Sequence, residues 1–253
     1  MVTVTSESLQ KLEQIARAAG AAIMGFYAER VDVQYKADDS PLTAADRAAH
    51  RLIVDALQEW DPSIPVVSEE GEIPDYEVRR GWPRFWLVDP LDGTKEFLQR
   101  NGEFTVNVAL IEGRAPSLAV VYAPALDLLY SAGTGLGAWK VAAAAQPARI
   151  YSRVWTTGTP AVVAESRSHP SDELEEYLRK LPVVQRVQAG SSLKFCWVAE
   201  GKADLYPRFG RTMEWDSAAG DCIYRNSGQH GQRTSPLQYN TPTLENPHFV
   251  IGE

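Results

Sequence analysis

The stretch that most constrains this chain runs from Phe85 to Phe97. Phe85-Trp86-Leu87-Val88 reads as a buried apolar strand. It passes directly into Asp89-Pro90-Leu91-Asp92-Gly93-Thr94: two carboxylates, a glycine and a threonine. A short helical pattern follows, with Phe97 and Leu98 as its apolar members. A strand that ends in acids beside a glycine and a new helix N-terminus is a natural place to hold a metal ion and a phosphate.

Composition narrows the remaining choices. With 253 residues, 44% of them hydrophobic, the chain can bury a full core as one large domain or two fused layers. No apolar run approaches the roughly 18 residues of a spanning helix, and Met1 to Lys11 lacks a signal-peptide core. A formal charge of −8 disfavours a broad basic face for nucleic acid, but leaves small phosphorylated ligands open, since these need only a local cationic cluster. Cys196 and Cys222 lack zinc or redox spacing. A buried thiol at Cys196 and a reducing cytoplasm are the expectation.

Apolar spacing at Leu9, Leu12, Ile15, Ala16, Ala19, Ile23 and Phe26 predicts a helix over residues 6–29. Val31 to Tyr35 is β-like, and residues 36–41 form a polar loop. A second helix opens at Thr43, which can cap, with Asp46 in its first turn and Ile53, Ala56, Leu57 and Trp60 inward. Ile64 to Ser68 reads as a strand delivering Glu69-Glu70, and the polar segment from there to Pro83 as a mobile flap. Three β-rich runs from Phe104 to Ser131 suggest an antiparallel sheet. The glycines at 133, 135 and 137 match no nucleotide-loop spacing and read as a hairpin tip. Aperiodic sequence over residues 142–160 marks a junction, giving an N-terminal α+β unit (1–145) and a C-terminal α/β unit (146–253). In the second unit strands are expected at 161–164, 183–187 and 203–206, and helices at 171–181, 191–200 and from Trp215 on.

Acids thus stand at the ends of elements at Asp46, Glu69, Asp89, Asp92 and Asp216. Gathered without compensation they would repel one another and raise each other's pKa, a conflict that hard divalent cations remove. Asp89 and Asp92, with the Leu91 carbonyl between them, could each face a metal, and two ions roughly 4 Å apart would clamp an in-line phosphoryl transfer. An EF-hand reading fails: counted from Asp89, glycine falls fifth and Arg100 twelfth. A polar turn capped by Asp92 explains one acid, but not Glu69-Glu70 and Trp215-Asp216 with it.

Asp89-Pro90-Leu91-Asp92-Gly93-Thr94 and Trp215-Asp216-Ser217-Ala218-Ala219-Gly220 resemble the two signatures of the inositol monophosphatase superfamily. Ser40 to Asp46, Ser68-Glu69-Glu70, Asn101 to Asn107, Ser166 to His169 and Gly190 to Cys196 extend the likeness to its bisphosphate-nucleotidase branch. The resemblance implies a five-layered αβαβα sandwich and magnesium-dependent removal of the 3'-phosphate of adenosine 3',5'-bisphosphate. The products are AMP and phosphate. The 5'-phosphosulfate analogue is a second substrate, and the activity would serve sulfur assimilation and be lithium-sensitive. Two magnesium ions per site, or three, are implied. Glu69, Asp89 and the Leu91 carbonyl would hold one, and Asp89, Asp92 and Asp216 the second. Thr94, hydrogen-bonded to Asp46, would activate the attacking water, with Glu69 also among the catalytic residues. The N–H groups of Gly93 and Thr94 would grip the scissile phosphate, and Asp216 or a coordinated water would protonate the leaving oxygen. Ser166, His169, Gly190, Ser192, Lys194 and Arg208, with Asp216, match positions that hold the nucleotide and its second phosphate. A small molecule is the implied partner, and the place of work is the cytoplasm, free or peripheral on the inner face of the inner membrane. A sugar phosphatase of the same fold, a nucleotide sensor and a structural cation-binding protein are the alternatives. The polar segment from Tyr224 to Arg233 departs from the family pattern and predicts an early end to the helix before it.

Overall fold

The computed structural model describes residues 2–28, 33–35, 41–143, 145–167 and 171–253; most of the polar loop expected at 36–41 and His169 lie outside the described residues. The chain runs α1 (Ser6–Tyr27), β1 (Val33–Tyr35), β2 (Pro41–Thr43), α2 (Ala44–Trp60), β3 (Val66–Ser68), α3 (Tyr76–Arg79), β4 (Arg84–Asp92) and α4 (Thr94–Gln99). It continues through β5 (Thr105–Glu112), β6 (Ala115–Ala123), β7 (Leu128–Gly133), β8 (Gly137–Ala142), β9 (Ala148–Arg149) and β10 (Ala161–Ser166). The last elements are α5 (Asp172–Leu178), β11 (Val183–Ala189), α6 (Leu193–Ala199), β12 (Tyr206–Arg208), α7 (Glu214–Arg225) and β13 (Phe249–Ile251).

Strands β3 to β9 form a seven-stranded sheet in that order. β3 is parallel to β4, and the other neighbours are antiparallel. Successive side chains of a strand point to opposite faces, and here each face has its own core. Trp86 and Val88 of β4, Val106 and Val108 of β5 and Val120 of β6 pack with Leu12, Ala16, Ile53 and Leu57 of α1 and α2. Phe85, Leu87, Ala109, Ile111 and Val121 face the other way, against Phe195 and Val198 of α6 and Ala218 and Ile223 of α7. Burial on both faces explains why β4 reads as an unbroken apolar run. Fully burying a Leu or Val at such a position contributes about 1.5–3 kcal/mol.

β10 pairs in parallel with β11, β12 pairs antiparallel with β13, and a bridge from Val163 to Leu205 joins the two pairs. Ala164 turns toward α6 and α7, while Ala161 and Val163 pack with Leu174 and Leu178 of α5. Helices, large sheet, helices, small sheet and α5 therefore stack as the five-layered αβαβα sandwich of the inositol monophosphatase type.

Helix starts follow local chemistry. Thr5 caps α1 by accepting from the Ser8 N–H at 3.2 Å. Thr43 and Asp46 form a reciprocal capping box at α2.

Two local expectations need correction. The segment between Glu70 and Pro83 is anchored at α3, where buried Arg79 donates to Asn240 Oδ1 at 2.7 Å and to the Pro242 carbonyl at 2.6 Å. The strand expected at 203–206 begins only at Tyr206, because its pairing partner is β13, whose Phe-Val-Ile is too short to register as a strand in sequence. The early end expected for the helix before the polar segment is found: α7 stops at Arg225, and the segment after it folds back, with the Arg233 N–H donating to the Arg225 carbonyl at 2.7 Å.

Candidate active site

A one-residue bulge creates the acidic centre. In the β4–β5 ladder Asp89 lies opposite Asn107 and Asp92 opposite Thr105, with the register shifting between them. Asn107 and Thr105 are two apart and share a face. The extra residue in β4 thus turns Asp89 and Asp92, three apart in sequence, to the same side. That side is the one facing α6 and α7. β3 brings Glu69 alongside, its N–H donating to the Val88 carbonyl at 3.1 Å. Asp216 enters from the first turn of α7, where its Oδ2 accepts the Met213 N–H at 2.9 Å.

One carboxylate oxygen each from Glu69, Asp89 and Asp216 lies within 4.8 Å of the others. Burial, then Glu69, Asp92, Asp216 and Asp46, push the Asp89 carboxyl well above the usual range. Burial, then Asp92, does the same to Asp216. Asp92 rises to about 6 through burial, opposed by Lys194 and by hydrogen bonds from Asn107 and Ser192. Buried anions at this spacing take up protons or a cation. An all-oxygen donor set of carboxylates fits a hard divalent ion.

Asp46 is buried, and its carboxyl is raised mainly by that burial. The expected Thr94–Asp46 hydrogen bond is not formed. Asp46 Oδ2 instead accepts the Thr43 N–H at 2.8 Å and the Thr43 hydroxyl at 2.5 Å. Thr94 Oγ1 points toward the Leu91 carbonyl at 3.5 Å. The local capping partner has won over the distant one.

The acids open onto a cavity of about 520 Å³. Its wall includes Glu69, Asp92, Gly93, Thr94 and Asp216 together with Ser166, Lys194 and Arg208. Gly93 holds φ 87°, a left-handed turn that launches α4 and suits glycine. Lys194 is buried, and its ammonium donates to the Ser191 carbonyl at 2.5 Å and the Ala189 carbonyl at 3.3 Å. Burial lowers it to about 8, with Arg208 adding repulsion and Asp92 opposing. Arg208 donates through Nη2 to the Arg211 carbonyl at 3.0 Å, while its buried Nε has no partner among the described residues.

Asp89 and Leu91 are buried behind this wall. Two residues expected at the nucleotide also stand elsewhere. Ser192 is 1% exposed and bonds to protein groups, while its neighbour Ser191 lines the cavity. Gly190 lies behind the wall, where a Cβ would come within 2.6 Å of Glu96 Cγ and 2.7 Å of the Glu103 carbonyl. Its role is to allow that close approach. The cavity further includes Ile73, Lys95, Tyr206 and Arg211, which spacing did not single out. Only Lys95 carried a signal, standing next to Thr94.

The sequence matches the inositol monophosphatase family over residues 5–241. It is 51% identical over 250 residues to the 3'(2'),5'-bisphosphate nucleotidase CysQ of Escherichia coli strain K12, covering 96% of this chain and 99% of that one. The enzyme of the same name from Haemophilus influenzae is 34% identical, with 99% and 94% covered. Among solved structures, CysQ from Bacteroides thetaiotaomicron, described as a bacterial member of that family, superposes with a TM-score of 0.80 at 39% identity and 98% coverage of both chains. The inositol monophosphatase (IMPase) of Thermotoga maritima does so with a TM-score of 0.74 at 25% identity, covering 94% and 90%.

Proposed function

The chain belongs to the inositol monophosphatase family, and from that premise we propose that it is a magnesium-dependent 3'(2'),5'-bisphosphate nucleotidase, converting adenosine 3',5'-bisphosphate to AMP and phosphate. The observation that carries the reading is the polarity of the cavity. Its lining carries, together with the acids, the cations Lys194 and Arg208, the latter with a buried Nε that has no partner among the described residues. A ligand with two phosphates gives both the acidic centre, through its metal, and the cations something to hold. An inositol monophosphate leaves the cations unused.

Glu69, Asp89 and the Leu91 carbonyl would hold one magnesium ion, and Asp89, Asp92 and Asp216 would hold a second. Bound there, the ions supply charge neutralisation and Lewis acidity to an in-line displacement at phosphorus. The chain does the rest. The first N–H groups of a helix have no intrahelical acceptor, and Gly93, Thr94 and Lys95 place those of α4 at the cavity wall for the scissile phosphate. Thr94 Oγ1 orients the attacking water. At 3.5 Å its bond to the Leu91 carbonyl is weak, so the hydroxyl can rotate and pass a proton toward Asp46. As the new P–O bond forms and the P–O3' bond breaks, the ribose oxygen needs a proton. That proton would come from the Asp216 side of the site, from the carboxyl itself or from a water held beside it. Lys194 and Arg208 take the 5'-phosphate. The two buried free thiols suit a cytoplasmic setting. No helix among the described residues is long and apolar enough to cross a membrane.

The test is phosphate release from adenosine 3',5'-bisphosphate and from inositol 1-phosphate, each with and without magnesium. The bisphosphate should be preferred and metal required. Preference for inositol 1-phosphate would overturn the assignment, and ligand binding without any phosphate release would make the protein a sensor.

A further inference from the structure

Asn107 is a polar side chain at 0% exposure in the middle of the apolar strand β5, and its hydrogen bonds lead out of the sheet. Its Oδ1 accepts from the Thr105 hydroxyl at 3.0 Å, which fixes the orientation of the amide. The two Nδ2 protons then go to Asp92 Oδ2 at 3.2 Å and Ser192 Oγ at 2.9 Å. Ser192 has a single hydroxyl proton and two acceptors within reach, the Asp216 carbonyl at 2.6 Å and Asp92 Oδ2 at 3.1 Å. The shorter contact takes it. The result is one directed chain, Thr105 to Asn107 to Ser192 to the backbone of Asp216, with a branch from Asn107 to Asp92.

We propose that Asn107 and Ser192 are positioning residues, a strut that sets the separation and aim of the Asp92 and Asp216 carboxylates. The inference rests on the reading of those two acids as ligands of one metal ion. Asp92 lies just past the bulge, at the last pair of the β4–β5 ladder, so the sheet sets the side it faces but holds it on one flank only. Asp216 sits on α7, over a hundred residues later, with nothing covalent to hold it at a fixed distance. The strut is the direct hydrogen-bonded route between them. Its members are buried, so they act through the ligands and not on substrate. Partners behind metal ligands are worth about 10–100-fold in metal affinity when removed.

The test titrates Asn107→Leu and Ser192→Ala with magnesium. Two quantities are read: the half-saturating concentration for phosphate release, and the rise in Tm that magnesium produces. Each variant should need about tenfold more magnesium or above, with KM for the bisphosphate at saturating metal within about twofold of wild type. Because the two residues act through one chain, the double variant should be little worse than Asn107→Leu alone. Ser192→Thr, which keeps the hydroxyl, should recover most of the loss. A half-saturating concentration within about twofold of wild type in both variants, whatever happens to the metal-free Tm, would overturn the proposal and leave a packing role. Should Asn107→Leu fail to fold, Ser192→Ala, which deletes one oxygen, decides alone. Asp92→Asn runs beside them. If it keeps a normal magnesium response, the ligand reading itself is wrong. If it loses the response while the strut variants keep theirs, only the strut falls.

Discussion

Lys194→Met separates substrate selection from hydrolysis. The ammonium is buried against two backbone carbonyls, leaving its third N–H for a phosphate oxygen in the cavity. Methionine keeps most of the stem volume and removes the charge. A hydrogen bond to a charged group is worth about 1.5–3 kcal/mol, so kcat/KM for adenosine 3',5'-bisphosphate should fall by about one to two orders of magnitude at 1.4 kcal/mol per factor of ten. The carbonyls of Ala189 and Ser191 also lose a donor, and that disturbance weighs equally on any nucleotide. Adenosine 3'-monophosphate, which lacks the 5'-phosphate, is therefore the reference substrate. The quantity to measure is the ratio of the two kcat/KM values by phosphate release at saturating magnesium. It should fall by about one to two orders of magnitude in Lys194→Met, with Arg208 keeping the remainder. The wild-type ratio should also fall as pH rises past the Lys194 value of about 8, since kcat/KM reports the free enzyme. Equal losses on both substrates, with a ratio unchanged from about pH 7 to about pH 9 in wild type, would refute the selectivity role.

Further outcomes follow from the same geometry. Asp92→Asn should abolish phosphate release while the far-ultraviolet spectrum stays native; near-normal turnover would remove Asp92 from the metal site. Asp89, Asp92 and Asp216 all have folded pKa values above their unfolded ones, so the stability they contribute is complete below about pH 3 and is lost as pH climbs through the raised values. For Asp92, moved from 3.8 to about 6, that loss is on the order of 3 kcal/mol. The magnesium-induced rise in Tm should accordingly grow between about pH 5 and about pH 8, and a pH-independent rise would contradict this. Arg79→Ala removes two short bonds that tie α3 to the C-terminal segment and should cost about 3 kcal/mol in denaturant unfolding; a loss under about 1 kcal/mol would mean that α3 is not a structural anchor.

Much of this arrangement is legible in sequence where local chemistry and periodicity agree. The α1 and α2 helices announce themselves by spacing, and Thr43 and Asp46 by the capping box. The acids could be found because each stands at one end of an element. What sequence does not carry is the pairing across the fold. The bulge that aligns Asp89 with Asp92 is a property of the β4–β5 register, not of either strand alone. Which of Ser191 and Ser192 faces the cavity depends on where α6 begins, and Ser192 takes up an N-cap position with its hydroxyl turned inward. Thr94 and Asp46 were paired on resemblance, and the nearer Thr43 holds the carboxylate. β13 escaped notice since three apolar residues become a strand only when β12 lies beside them. Arg79 looked like one more polar residue of a loop, and its burial depends on Asn240 and Pro242, some 160 residues on.

The central claim is that one cavity holds a nucleotide by two phosphates and cuts only the one at the acidic centre. Identifying the nucleoside product of adenosine 3',5'-bisphosphate after chelation and after magnesium is restored tests it most directly. The account predicts no product in chelator, and, with magnesium, phosphate plus a nucleotide that keeps its 5'-phosphate. Release of the 5'-phosphate instead, or turnover that survives chelation, would contradict it.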